Sequence, residues 1–346
     1  MIVGMNNSDL MFIIDRANIS EPLVKSNLNN KKIFISGGTG FIGKWLVASL
    51  KKITELTSIN FDIYILTRDS ENFRRHYPEL SEGVFFIHGP IESEETFKNL
   101  KVKFDFVFHL AGETTRGSSY LTELAEIAIS GTNNVLKFIV SDSTKYFFFA
   151  SSGAVYASFE EANKKLKESD PCIFDSTYPD EIYALSKRLS ETIIEEKLAV
   201  TNCNFISLRI FALVGPSMYI DKHYAFGNFL MNAAKGEDIN LSTDGNVFRS
   251  FMHIRDFMIW ILKILDNNEK LTPQYLNVGS DEAITIKELA DKIAKKYSLN
   301  LRVSRTPAIN KKYYVPNIGL ANSLGLKIYT SLDDSIDMTY KSIASR

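Results

Sequence analysis

The chain of 346 residues is 45% hydrophobic and 23% charged, the composition of a soluble globular protein with enough apolar material for a sizeable core. Forty basic against forty-one acidic side chains leave a formal net charge of −1, so no global positive field exists to hold nucleic acid or an anionic membrane. Two cysteines, Cys172 and Cys203, are too few for a disulfide scaffold, and no paired Cys/His spacing suggests zinc; two reduced thiols fit a cytoplasmic protein.

Residues 1–30 hold one apolar stretch, 10–14, bracketed by Asp9 and Asp15. It is too short for a membrane span and lacks the basic start of a secretory signal, so it reads as an N-terminal extension packed on the body. From Lys31 short apolar runs alternate with amphipathic stretches of helical length. Strands are expected at 32–36, 62–67, 84–87, 106–110, 146–151 and 204–210, with helices at 41–57, 96–100, 120–141 and 181–199. Strands apolar on both faces and alternating with helices predict an α/β fold with a doubly wound parallel sheet. After Gly215-Pro216 the pattern loosens to Asn246. A helix at 256–265, a short strand at 275–279 and helices at 285–297 and 331–341 follow. Residues 31–215 thus form a first domain, with a returning segment near 256–279, and 216–346 mainly a smaller C-terminal lobe that closes over the site.

The first strand runs into Gly37-Gly38-Thr39-Gly40-Phe41-Ile42-Gly43 and then a helix. A glycine turn there lets backbone N–H groups approach a pyrophosphate at the positive end of the helix dipole, and Gly43 lets the helix pack closely on the sheet. This is the dinucleotide-binding arrangement of a Rossmann-type sheet. The second strand ends Thr67-Arg68-Asp69 where an acid usually holds the ribose 2′-hydroxyl. Arg68 suits a 2′-phosphate, which favours NADP(H) over NAD(H). Asp69 reaching the ribose, with Arg68 a solvated charge, is the other outcome.

Tyr183 and Lys187 stand four apart in the helix after the fifth strand, so they share one face. A nearby ammonium is expected to lower the Tyr183 pKa and suit it to general acid–base work. Ser152 closes the fifth strand at the carboxyl end, where ligands bind in an open parallel sheet. Ser, Tyr and Lys around a nicotinamide form a hydride-transfer site for an alcohol/ketone pair. The aromatic run 146–149 reads as buried strand, and His109 as packing at a strand end rather than a metal ligand.

With these residues assembled, the chain resembles the extended short-chain dehydrogenase/reductases that act on nucleotide-activated sugars, the NAD-dependent epimerase/dehydratases. The resemblance spans residues 31–340 and is carried by the 37–43 loop, His109-Leu110-Ala111-Gly112, Ser151-Ser152, and Tyr183 with Lys187. Leu208-Arg209-Ile210-Phe211, Gly215-Pro216, Arg249-Ser250-Phe251 with Asp256, and Asn277-Val278-Gly279 carry it further. It implies bound NAD(P), with Leu110, Ala111 and Gly112 among its contacts, and a nucleoside-diphosphate sugar in the cleft between the lobes. By position, Asn228 and Arg249 resemble residues that meet the nucleotide and diphosphate. For Arg249, an internal ion pair with a carboxylate such as Asp256 is the competing role. The resemblance also implies a homodimer built on the helices at 120–141 and 181–199.

Departures narrow the chemistry. Dehydratase relatives carry an Asp-Glu pair after the catalytic hydroxyl; here stand Gly153-Ala154, which cannot move the protons of a 4,6-elimination. His88-Gly89-Pro90-Ile91, Ala128 and Ala212 replace other usual contacts. The favoured expectation is NADP(H)-dependent reduction of a 4-keto-6-deoxy sugar nucleotide. A 4-epimerase that keeps its NAD is the alternative, and a non-catalytic nucleotide-binding protein stands behind both. Glu113, Thr114, Thr115, Tyr219 and His223 are possible pocket residues.

Overall fold

The computed structural model describes residues 5–19, 28–112, 121–156, 164–174, 181–220, 224–266, 273–308 and 313–345. Glu113, Thr114, Thr115 and His223 lie outside them. Seven strands form one sheet: β1 (Lys31–Ser36), β2 (Phe61–Thr67), β3 (Val84–His88), β4 (Phe106–His109), β5 (Tyr146–Ser152), β6 (Asn204–Ile210) and β7 (Tyr275–Val278). Their order is β7-β6-β5-β4-β1-β2-β3, and every neighbouring pair is parallel. The chain starts at the centre, winds to one edge, then crosses over and winds to the other: a Rossmann-type doubly wound fold.

Period-2 alternation divides the sheet's side chains between two cores. Ile33, Ile35, Phe106, Phe108 and Phe148 face one layer with helix α2 (Phe41–Leu56). Phe34, Val107, Phe147 and Phe149 face the other. All seven residues of β5 are buried, which is why its sequence is an unbroken apolar run up to the serines. The first layer also takes α1 (Asn7–Ala17), which opens with an Asn6/Asp9 capping box and buries Ile13 and Ile14. The second takes α3 (Leu121–Phe138) and α4 (Ile182–Leu198), which lie side by side. Helix α6 (Ile254–Asp266), buried on nearly every face, packs against α1.

The smaller lobe has its own core among α5 (Ala225–Lys235), α7 (Ile286–Lys296) and α8 (Leu332–Ala344). Two sequence expectations change. The stretch up to Asn246 is not uniformly irregular, because Phe226, Phe229, Leu230 and Ala233 make the buried stripe of α5, closed by left-handed Gly236. The helix expected at 96–100 is only a 3₁₀ turn, Glu94–Thr96, pinned by Thr96 Oγ1 donating to the Pro90 carbonyl. Five residues are too few to repay helix nucleation. No helix among the described residues is long and apolar enough to cross a membrane.

Candidate active site

The glycine loop is a cradle with no room for side chains. Gly37 has φ +72°, and a Cβ there would lie 2.8 Å from the Ala111 amide; one on Gly43 would lie 2.4 Å from the Gly37 carbonyl. Gly40 caps α2 without a side-chain hydrogen bond, so the helix presents its leading amides to whatever anion enters. On the facing wall the Leu110 and Ala111 amides donate to Ser36, while a Cβ on Gly112 would meet Lys187 Nζ at 2.9 Å. The residues expected to hold a dinucleotide, Gly37, Gly40, Phe41, Ile42, Gly43, Leu110, Ala111 and Gly112, therefore surround one slot at the carboxyl ends of β1 and β4, and its shape fits such a group.

Two cavities meet there. One, of about 690 Å³, runs from Gly37 past Thr67 and Arg68. The other, of about 900 Å³, runs from Ser152 to Arg249 and Tyr314 in the smaller lobe. Tyr183, Lys187 and Gly112 line both, so the proposed reacting groups sit at the junction. At the far end of the first cavity Asp69 caps the helix Ser70–His76, accepting from the Asn72 amide at 2.9 Å. Its Oδ1 is engaged in the cap, and Asp69 and Arg68, both exposed, line the cleft side by side. Lys44, almost fully buried, adds a second cation, with Nζ 3.1 Å from Tyr77 Oη and 4.6 Å from the centre of its ring.

Residues 33–279 match the model of the NAD dependent epimerase/dehydratase family. The chain belongs to that family. It is 27% identical over 284 residues to a UDP-N-acetyl-alpha-D-glucosaminuronate decarboxylase of Bacillus cytotoxicus, spanning 80% of this chain and 84% of that one. It is 30% identical over 258 residues to UDP-glucuronate 4-epimerase 2 of Arabidopsis thaliana, covering 70% of this chain and 56% of the relative. Among solved structures, a UDP-glucose 4-epimerase of Thermotoga maritima with UDP-glucose superposes with a TM-score of 0.75 at 20% identity, over 90% of this chain and 98% of that one. A UDP-glucuronic acid 4-epimerase of Bacillus cereus with UDP-glucuronic acid and NAD gives 0.73 at 18%, with the same coverage.

In this member of the epimerase/dehydratase family the candidate reacting groups are buried. Lys187 Nζ donates to the Ala150 carbonyl at 2.7 Å and lies 6.0 Å from the centre of the Tyr183 ring. Burial lowers its pKa to about 8 against the pull of Glu191. The expectation that Lys187 lowers the Tyr183 pKa is corrected: burial drives the phenol well above its usual range, Tyr314 adds to the rise, and a Ser152 hydrogen bond opposes it. Desolvation outweighs an ammonium held by another acceptor, so the Tyr183 phenol stays protonated. His109 does pack at the strand end, between Ser36 and Thr132, and burial lowers its pKa to about 3.

Behind the pair sits Glu191, one turn beyond Lys187 and fully buried. Its carboxylate accepts from Ser151 Oγ (2.7 Å), Ser207 Oγ (2.6 Å), Arg188 Nη1 (3.0 Å), and Arg209 Nε (3.1 Å) and Nη2 (3.0 Å). Arg209 continues to Tyr156 Oη, which donates to Asn277 Oδ1. This network ties α4, the helix that carries Tyr183 and Lys187, to β5, β6 and β7. Sequence reasoning missed Glu191, although its i+4 spacing from Lys187 was the available signal. Arg249 does not pair with Asp256, whose carboxylate instead accepts from the Tyr329 and Thr330 amides and Thr330 Oγ1. Arg249 lines the larger cavity with its guanidinium 5.4 Å above the Tyr314 ring, and exposed Tyr219 lines it too. Asn228, in the first turn of α5, is not among the side chains lining that cavity; its neighbours Tyr224, Ala225 and Phe226 are.

Proposed function

We propose that this protein reduces the 4-keto group of a nucleoside-diphosphate 4-keto-6-deoxy sugar with NADPH. The observation that carries the reading is the meeting of Tyr183 and Lys187 at the junction of the two cavities, with Ser152 in the lining of the larger one and burial keeping the Tyr183 phenol protonated. A group that rests as an acid suits reduction, where the substrate oxygen must gain a proton. Bound nicotinamide supplies the hydride. Tyr183 gives its proton to the substrate oxygen, Ser152 polarises the carbonyl, and Lys187 favours the phenolate left behind. Arg249 suits a diphosphate in the larger cavity.

Two further features support the assignment. Gly153-Ala154 stand where an elimination would need an acid and a base. Arg68 and Lys44 line the cavity together with Thr67 at the end of β2, two cations against the single carboxylate of Asp69, whose Oδ1 caps a helix, and this charge balance suits a 2′-phosphate. We assign the protein to the cytoplasm, and a homodimer through α3 and α4, on which Leu185 and Leu189 are exposed. The 4-epimerase names of several relatives favour the second reading, interconversion at C4 with retained NAD. Tyr183→Phe tests the chemistry: turnover falls by about 100-fold or more while nucleotide binding persists, and near-wild-type turnover would remove Tyr183 from its role. Cofactor analysis separates the readings, since NAD that survives purification and resists exchange indicates the epimerase.

A further inference from the structure

The chain passes between the body and the smaller lobe more than once, and one arginine holds two of these passages together. Arg255 stands in the first turn of α6, just after the strand Phe251–His253, and its amide donates to His253 Nδ1 at 3.2 Å. Its Nε donates to Thr330 Oγ1 at 2.7 Å. Thr330 directly precedes Ser331, whose hydroxyl caps α8 by accepting from the Asp334 amide at 3.1 Å. Asp256 holds the same threonine through its amide and its hydroxyl.

The N-terminal helix holds that arginine in turn. Asp9 Oδ1 lies 3.7 Å from Arg255 Nη1, and the two side chains are only 4% and 14% exposed. The Phe12 ring covers the guanidinium, whose carbon lies 4.1 Å from the ring centroid, and meets the Tyr329 ring edge-on at 6.3 Å. A buried ion pair under an aromatic face is little screened, and the planar fork of arginine gives it one geometry. On the lobe side, α8 packs on Phe251–His253 and on α5. The Phe251 and Phe226 rings, 5.2 Å apart, line the 900 Å³ cavity, and Phe251 pairs with Ala212, which lines it too. Contacts thus run unbroken from α1 through Arg255, Thr330 and α8 to the wall of that cavity. We propose that α1 is a brace that fixes the smaller lobe against the body, with Asp9, Phe12 and Arg255 as positioning residues for the ligand of the larger cavity. The proposal rests on the reading that this cavity takes a nucleoside-diphosphate sugar. Ile13, fully buried in the body core on the same helix, provides the comparison for stability alone.

The test compares Phe12→Ala and Asp9→Asn with Ile13→Ala, by calorimetric titration with UDP or dTDP and, separately, with NADH and NADPH. Asp9→Asn keeps the shape of the side chain and removes the charge facing Arg255, so it carries the test if Phe12→Ala does not fold. These two variants should weaken nucleoside-diphosphate binding by about fivefold or more and leave dinucleotide binding as in the wild type. Ile13→Ala should lower the unfolding temperature without changing either affinity. Hydrogen exchange gives a second readout: amides of α8 and of Phe251–His253 exchange faster in Phe12→Ala and Asp9→Asn, while those of β1 and β2 do not. Wild-type affinity and exchange in both variants would overturn the brace. Equal losses for both kinds of ligand, or the same loss in Ile13→Ala, would overturn it too, since either marks α1 as general support. A wild type that binds neither UDP nor dTDP defeats the sugar-nucleotide reading instead, and the exchange readout then decides the brace by itself.

Discussion

Replacing Glu191 with Gln tests whether the network behind the site positions the chemistry or only fills space. The glutamate is fully buried and accepts hydrogen bonds from two serines and two arginines. A glutamine of the same shape presents an amide NH₂ to those donors; the serines can turn and accept, but a guanidinium cannot. Arg209, itself 3% exposed, is left without its counter-charge. Breaking a buried pair on one side costs about 3–5 kcal/mol, to be read by urea unfolding near pH 7. Replacing both Glu191 and Arg209 with Met should cost less than the two single changes together, by about 2–3 kcal/mol of coupling. Burial pushes the Glu191 pKa up, but Arg209 and the serines outweigh it and hold the net value below the ordinary 4.5. Its contribution is thus present above pH 4.5 and lost as pH falls through the lowered folded value. The stability gap between wild type and variant therefore closes in acid. Glu191 also raises the Lys187 pKa, so the alkaline limb of the rate profile moves to lower pH in the variant. A cost below about 1 kcal/mol with an unmoved limb would refute the positioning role.

Three other outcomes follow from the geometry. Lys187 titrates at about 8, so the rate falls as pH rises through that value, while the lysine's contribution to stability rises between about 8 and its ordinary 10.5, where only the unfolded chain stays charged. A rate profile flat to pH 10 would contradict this. Arg68→Ala and Lys44→Met should each weaken NADPH binding by about tenfold or more, the worth of a charge-assisted hydrogen bond, and leave NADH binding unchanged in calorimetry. Equal losses for both cofactors would deny the 2′-phosphate site. Leu185→Glu with Leu189→Glu should convert a dimer to monomer in sedimentation, whereas a wild type that sediments as monomer would reject the proposed α4 interface.

Much of the scaffold was legible because its signals are local. A strand covered on both faces must be apolar throughout, so β5 announces itself from Tyr146 to the serines, and the glycine loop needs only the residues between one strand and one helix. Helix α5 was missed because Gly227 and Asn228 interrupt the stripe that Phe226, Phe229, Leu230 and Ala233 form once folded. The Tyr183 and Lys187 spacing gave a shared helix face but not the direction of the Tyr183 shift. That depends on the Ala150 carbonyl holding Lys187 Nζ and on the depth of burial, both products of tertiary packing. Tyr314 carried no local signal at all. Its place beside Gly153 comes from a bridge to Arg249, which only the complete fold creates.

Net charge gives the last step of the argument. A chain with a formal charge of −1 must hold an anionic cofactor and an anionic sugar donor through local groups. Those groups are spread along the cleft: Lys44 and Arg68 at one end, the α2 amides and Lys187 between, and Arg249 at the other. Arg209 has its charge matched internally by Glu191, so it shapes the site without competing for ligand. Lys187 is the one cation among them that both cavities share, and it sits near its titration point. Filling the cleft with anionic ligand favours its charged form and raises its pKa. The alkaline limb of kcat, which reports the loaded enzyme, should therefore lie at higher pH than that of kcat/KM, which reports the free one. Coincident limbs would mean that the ligand charges are neutralised elsewhere in the cleft.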